Sequence, residues 1–272
     1  MKQNHLPSQP IGIFDSGIGG LTVAHAIVKQ LPKENIIYFG DTVHLPYGDK
    51  STAAIQAYAV KIAHMLLQQQ CKIIVIACHS ASAAAYDLVK EYIGDQAIVV
   101  NVIDPTVRLL KEQYANKRIG LIGTRQTVNS HIYKKKLDEL NLGITLCASA
   151  TNLLAAAIEE FGNNHQVIDS LLSVYLSDPN LQNIDALVLA CTHYPIIKER
   201  IATHYKKSVE LIDSADIAAK AVHRQLEKNN LLNTNGASNK HFYLSDYTES
   251  FASKATLFFG EDITLEHYPL WD

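Results

Sequence analysis

The sequence predicts an α/β fold of two similar domains with mainly parallel sheets and a site in the cleft between them. Three observations carry this. Short aliphatic and β-branched runs alternate with helical patterns along the chain, as in βαβ units. Two of those runs end alike: KIIVIACHSASAAA, Lys72 to Ala85, and ALVLACTHYP, Ala186 to Pro195, each lead an apolar strand into Ala-Cys and then polar residues. Two earlier strands, closing on Asp15 and Thr124, precede Cys78 and Cys191 by nearly equal intervals. That is a faint internal repeat.

The elements follow in order. IGIF, Ile11 to Phe14, is a short buried strand, and the glycines of Asp15-Ser16-Gly17-Ile18-Gly19-Gly20 allow tight geometry before a helix over 21–30. NIIYF, Asn35 to Phe39, is a strand that enters the turn-rich loop GDTVHLPYGDKS. Residues 51–70 form a long amphipathic helix before the Cys78 strand. The four β-branched residues Ile73 to Ile76 read as a strand buried on both faces, and the alanine-rich segment after Ser80 reads as a helix. Strands at 97–102 and 118–122 come next, with helices around Leu109 and Tyr133. A weak strand at 144–146 and helices at 153–161 and 167–177 lead to the Cys191 strand. A strand at 209–212 and a helix at 216–228 precede LLNTNGASNK, which reads as a linker or exposed loop. A strand at 241–244, a helix at 249–259 and a strand near 263–268 close the chain.

Composition narrows the function. A chain of 272 residues, 47% hydrophobic and 19% charged, is an ordinary globular protein. Its net charge of −3 offers no attraction to nucleic acid or an anionic membrane. No apolar run nears the roughly 20 residues that cross a bilayer. The N-terminal MKQNHLPSQP has the character of neither a signal peptide nor an anchor. Four cysteines in no CxxC framework point to reduced thiols and a cytoplasmic location. The histidines include no HExxH or close HxH pair, so no metal site is expected. Lys134 to Lys136 read as a solvated helix face, His25, His64 and His204 as helix-surface residues, and Cys71 and Cys147 as structural. Trp271, the single tryptophan, is expected to cap a hydrophobic edge.

The two remaining cysteines carry the chemistry. Each sits just past the carboxyl end of a strand, where open α/β sheets bind ligands. Each also starts a helix or turn, where free N–H groups favour a thiolate and attract a carboxylate. A free cysteine is more often a small buried hydrophobe. The polar His79-Ser80 and Thr192-His193 weigh against that, since a strand ending in a packed core has no use for them. Two thiols facing one another suit the removal of a proton from one face of a carbon and its return to the other.

Five ordered segments, DSGIGGLTV, YFGDTVHLPYGDKS, ACHSASA, IGLIGTRQTV and LACTHYP, together resemble the glutamate racemases and, less closely, the wider aspartate/glutamate racemase superfamily. The resemblance implies a cofactor-independent enzyme interconverting L- and D-glutamate, with Cys78 and Cys191 as the acid/base thiols. Asp15 would assist Cys78, and His193 would assist Cys191 and contact substrate. Ser16, Pro46, Tyr47, Gly48, Ser80, Thr127 and Thr192 would bind substrate, with Tyr47 and Gly48 offering backbone and hydroxyl donors. Glu159 would be a helix carboxylate near the second thiol, with Glu160 almost as good a match. The family fold implies domains of residues 1–100 plus 211–272, on the Asp15 and Cys78 side, and 101–210, on the Thr127 and Cys191 side.

One departure stands out: the family has Asn-Thr after the first cysteine, and this chain has His79-Ser80. His79 is expected to bind substrate, titrate near pH 6.5 and tune Cys78. The expected partner is small, L- or D-glutamate, with a homodimer open. The N-terminal extension of members that respond to a peptidoglycan precursor is not expected. A racemase for aspartate or another acidic amino acid, and an inactive binding protein of the same fold, stay open as alternatives.

Overall fold

The computed structural model describes residues 5–162, 164–234 and 238–272. In chain order it holds β1 (Ile11–Asp15), α1 (Leu21–Gln30), β2 (Ile36–Gly40), α2 (Thr52–Gln68), β3 (Ile73–Ile76), α3 (His79–Ile93), β4 (Ile98–Asn101) and α4 (Ile103–Gln113). Then come β5 (Arg118–Gly123), α5 (Arg125–Asn129), α6 (Ile132–Asp138), β6 (Thr145–Ala150), α7 (Leu154–Phe161), α8 (His165–Leu176), β7 (Ala186–Ala190), α9 (Lys198–His204) and β8 (Glu210–Asp213). The chain ends with α10 (Ser214–Lys228), β9 (Lys240–Leu244), α11 (Glu249–Phe259) and β10 (Leu265–His267).

The strands form two sheets, of order β10-β9-β2-β1-β3-β4 and β6-β5-β7-β8. Every pairing in both is parallel. Parallel strands need crossover helices, which cover both faces and explain why β1, β2, β3 and β7 are buried along their whole length. Alternation divides each strand between two layers. Ile11, Ile13, Ile73 and Val75 join the core that runs on into the second sheet. Phe14, Ile74 and Ile76 point the other way, into the layer under α2 and α3. Buried Ala81 and Ala85 are small enough to let α3 lie close to its sheet.

Some elements differ from the expectation. β6 extends to Ala150 because it pairs with β5 along its whole length, and that pairing outweighs the weak strand preference of Ala-Ser-Ala. α10 starts at Ser214, where the Asp213 carboxylate accepts the Ala215 N–H at 3.0 Å as a cap. The change from the second sheet back to the first falls between β8 and β9. Of LLNTNGASNK, residues 235–237 lie outside the described residues. Leu231 is buried, and its carbonyl accepts from Lys72 Nζ at 2.9 Å, so this end is anchored. Among the described residues no helix is long and apolar enough to cross a membrane.

Candidate active site

The sheet orders decide where the site lies. In the first sheet the chain leaves β1 for β2 on one side and returns to β3 on the other; in the second, β5 stands in the same way between β6 and β7. The crevice beyond the carboxyl ends at such a reversal is where open sheets bind ligands. Asp15 ends β1 and Cys78 follows β3; Thr124 follows β5 and Cys191 follows β7. The two crevices face each other and make one cavity. Ser16, Pro46, Tyr47, Gly48, Cys78, His79, Ser80, Cys191, Thr192 and His193 all line it.

Cys78 is the N-cap of α3, and its sulfur accepts the Ala81 N–H at 3.4 Å. Its thiol lies 3.6 Å from Ser16 Oγ. These contacts favour a thiolate, as expected of a helix start, but burial and then the charge of Asp15 outweigh them and push the thiol up to about 12. Burial therefore favours the protonated thiol at Cys78 and opposes the thiolate that the start of the helix favours. Asp15, fully buried behind the cavity, is itself raised by burial, in part offset by His193 and by the Gly20 and Gly17 N–H groups. Its Oδ2 accepts from Gly17 N at 3.0 Å, and its Oδ1 has no partner.

Around Cys191 the groups form a line. Its Sγ is 3.6 Å from His193 Nδ1, and His193 Nε2 is 2.6 Å from Glu159 Oε1. Burial disfavours the imidazolium, yet Cys191 and Glu159 outweigh it and raise His193 well above its ordinary value. Burial likewise disfavours the Glu159 carboxylate, but the His193 hydrogen bond and charge lower it overall. Charged His193 donates through both ring nitrogens, to the thiol on one side and the carboxylate on the other. Glu160 points elsewhere, to Lys254 Nζ of α11 at 2.5 Å. Of the two candidate carboxylates, Glu159 is the one that meets His193.

Two glycines let the halves close on each other. A Cβ on Gly19 would come within 2.3 Å of the His193 ring, and one on Gly48 within 2.9 Å of Thr124 Cβ. Tyr47 lines the cavity, but its hydroxyl donates to Asp41 Oδ2 at 2.5 Å, so a substrate would meet the backbone of this loop. Thr127 is buried behind the cavity wall, 3.0 Å from Thr124 Oγ1. Thr124 lines the cavity in its place and bonds Ser80 Oγ at 2.8 Å. Asp49, Arg125, Asn152, Leu153, Ala155 and Ala156 complete the lining and were not singled out from the sequence. Thr124 and Asn152 lie just beyond β5 and β6, so the strand-end rule that found the cysteines also reaches them. Among the described residues no cluster of three or more His, Cys, Asp or Glu could hold a metal ion.

His79 is the first residue of α3 and only 2% exposed, and neither ring nitrogen has a hydrogen-bond partner. Burial lowers it to about 3, so it is neutral throughout the neutral range and does not titrate near pH 6.5 as expected. This has a measurable consequence. Between pH 6.5 and about 3 the unfolded chain binds a proton here that the folded chain refuses, so stability falls with pH by about 1.4 kcal/mol per unit. His79→Asn removes that loss. Thermal melts at pH 7.5 and 5.5 should show a smaller acid destabilisation in the variant, with kcat/KM profiles of the same shape between pH 7 and 9. Equal acid destabilisation in both proteins would mean that the ring gains a partner in solution.

With this geometry in place, comparison with known proteins gives a consistent result. The Asp/Glu/hydantoin racemase family description matches residues 11–222. A glutamate racemase of Chlorobaculum parvum is 38% identical over 97% of each chain. The crystal structure of glutamate racemase from Francisella tularensis in complex with D-glutamate superposes with a TM-score of 0.90 at 39% identity, covering 98% of this chain and 99% of that one. The Bacillus anthracis glutamate racemase gives a TM-score of 0.91 at 31% identity over 99% of each. Two thiols at facing sheet crevices, on a fold shared end to end with these relatives, identify the chain as a member of the Asp/Glu/hydantoin racemase family.

Proposed function

We propose that the protein is a glutamate racemase that interconverts L- and D-glutamate without a cofactor, with D-glutamate serving peptidoglycan synthesis. The observation that carries this is the pair Cys78 and Cys191 in one cavity, each with its own polar support. One thiolate takes the Cα proton and becomes a thiol; the other thiol protonates the opposite face and becomes a thiolate. The N-terminus of α3 and the neutral ring of His79 would hold a carboxylate and stabilise the carbanion-like transition state. Asp15 would exchange a proton with Cys78, and the imidazolium of His193, held by Glu159, would do the same for Cys191. Ser16, Ser80, Thr192 and the Pro46–Gly48 backbone would orient the substrate, with Thr127 supporting Thr124 from behind. The domain division, close to 1–100 plus 211–272 and 101–210, puts one thiol in each half.

Chiral chromatography with L- and D-glutamate and L- and D-aspartate tests the substrate. Interconversion of glutamate in preference to aspartate supports the reading; racemisation of aspartate alone, or binding without turnover, overturns it. The cofactor expectation has its own check. The purified protein should show no visible absorbance of a Schiff base and keep its activity through dialysis. Activity that vanished and returned with pyridoxal phosphate would replace the two-thiol scheme.

A further inference from the structure

The loop that forms one wall of the cavity is tied to the far end of the chain. Asp41, which follows β2, is fully buried and lies outside the cavity lining. Its carboxylate is a hub. Oδ2 accepts from Tyr47 Oη at 2.5 Å, while Oδ1 accepts from Ser245 Oγ at 3.0 Å and from Trp271 Nε1 at 2.8 Å. His44 Nδ1 lies 3.0 Å from Oδ2 and 3.1 Å from Oδ1. Four donor groups converge on one carboxylate, about as many as its lone pairs accept.

Trp271 is more than one donor among four. Its ring meets His44 edge-on at 4.4 Å and Tyr58 of α2 at 5.6 Å, and Lys61 Nζ sits 4.5 Å from its centroid. His44 in turn stacks on Tyr58 at 3.9 Å. The sequence assigned Trp271 only an apolar edge to cap. The indole spans the gap between α2 and the loop carrying Pro46, Tyr47 and Gly48, and fixes that loop from outside through its hydrogen bond to Asp41.

We propose that Trp271 is a positioning residue for the reaction, and that the segment following β10 is a strap holding the Pro46–Gly48 wall in its substrate-binding geometry. The chain of contact runs Trp271, Asp41, Tyr47, then the backbone facing the cavity. Trp271 touches no substrate; it acts through Asp41. The link to catalysis rests on the glutamate racemase reading, whereas the strap itself does not.

The experiment therefore has two arms. Trp271→Phe keeps an aromatic ring and deletes the N–H; a chain ending at Leu270 removes the ring as well. Without substrate, amide hydrogen exchange over residues 43–50 should quicken in Trp271→Phe and more so in the truncation, while exchange in β5 and β7 stays as in the parent. Unchanged exchange at 43–50 in both variants overturns the strap, whatever the enzyme does. With glutamate, KM should rise by roughly three- to tenfold in Trp271→Phe while kcat stays within about twofold, as for the loss of one positioning hydrogen bond. Faster loop exchange with an unchanged KM overturns the positioning role. Because Trp271 is the single tryptophan, parent fluorescence reads the strap directly. D-glutamate should shift its emission and reduce acrylamide quenching. A parent that racemises glutamate with no such change argues against the strap, and a parent inactive on glutamate overturns the function while the exchange arm still judges the strap.

Discussion

Cys78→Ala and Cys191→Ala are each expected to abolish racemisation of glutamate in both directions, by more than the roughly 10²–10⁴-fold typical of one acid/base group. The reason is geometric. The thiols come from different sheets, so neither can reach the face that the other serves. What remains in each variant is a single thiol able to take a proton from one enantiomer and return it to the same face. In D2O that leaves exchange of the Cα proton without inversion, for one enantiomer only. Polarimetry gives the loss and mass spectrometry the exchange. Parent-level racemisation in either variant would show that the proton carriers lie elsewhere. Neither change should unfold the protein, since both side chains are small and border a cavity.

The second large effect concerns stability, at the far end of the first sheet. Lys72, just before β3, and Glu34, just before β2, are 0% and 1% exposed, and their charged ends are 2.5 Å apart. Lys72 Nζ also donates to the carbonyls of Pro7 and Leu231, and Glu34 Oε1 accepts the Asn233 N–H at 2.8 Å. This pair joins the N-terminal segment, the sheet and the segment after α10. Burial lowers Lys72 from its ordinary value, though Glu34 opposes the shift. Lys72→Met leaves a carboxylate buried without its cation, which costs about 3–5 kcal/mol. At about 2–4 °C per kcal/mol, Tm should fall by roughly 6–20 °C. The double variant Lys72→Met/Glu34→Leu should recover most of this, because a packed apolar pair replaces a buried ionic one at little net cost. Calorimetry on the three proteins decides it. A single variant as stable as the parent would mean that water reaches the pair.

Glu159 and Glu160 show where local reading stops. They are neighbours on α7, and the sequence left them nearly equal. The rotation of about 100° between adjacent helix positions sends Glu159 to His193 and Glu160 to Lys254, and only the docking of α7 and α11 distinguishes them. Thr124 and Thr127 differ in the same way: the motif pointed to Thr127, while the packing of α5 turns Thr124 to the cavity and keeps Thr127 behind it.

By itself the sequence determined the alternation of strands and helices, the parallel sheets, the two cysteines at strand ends and the loops around them. These follow from the order of apolar runs, small residues and breakers along a short stretch, and distant pairing altered only boundaries, as at β6. The tertiary structure decided the protonation of Cys78 and His79, because burial is a property of everything packed around a group. It also decided the partner of the Tyr47 hydroxyl and the place of Trp271. Asp41 and Trp271 meet only because β9 and β10 extend the first sheet beside β2, which brings the last turn of the chain to the loop after β2. Contacts between residues so far apart in the chain are fixed by sheet order, and no local pattern encodes that order.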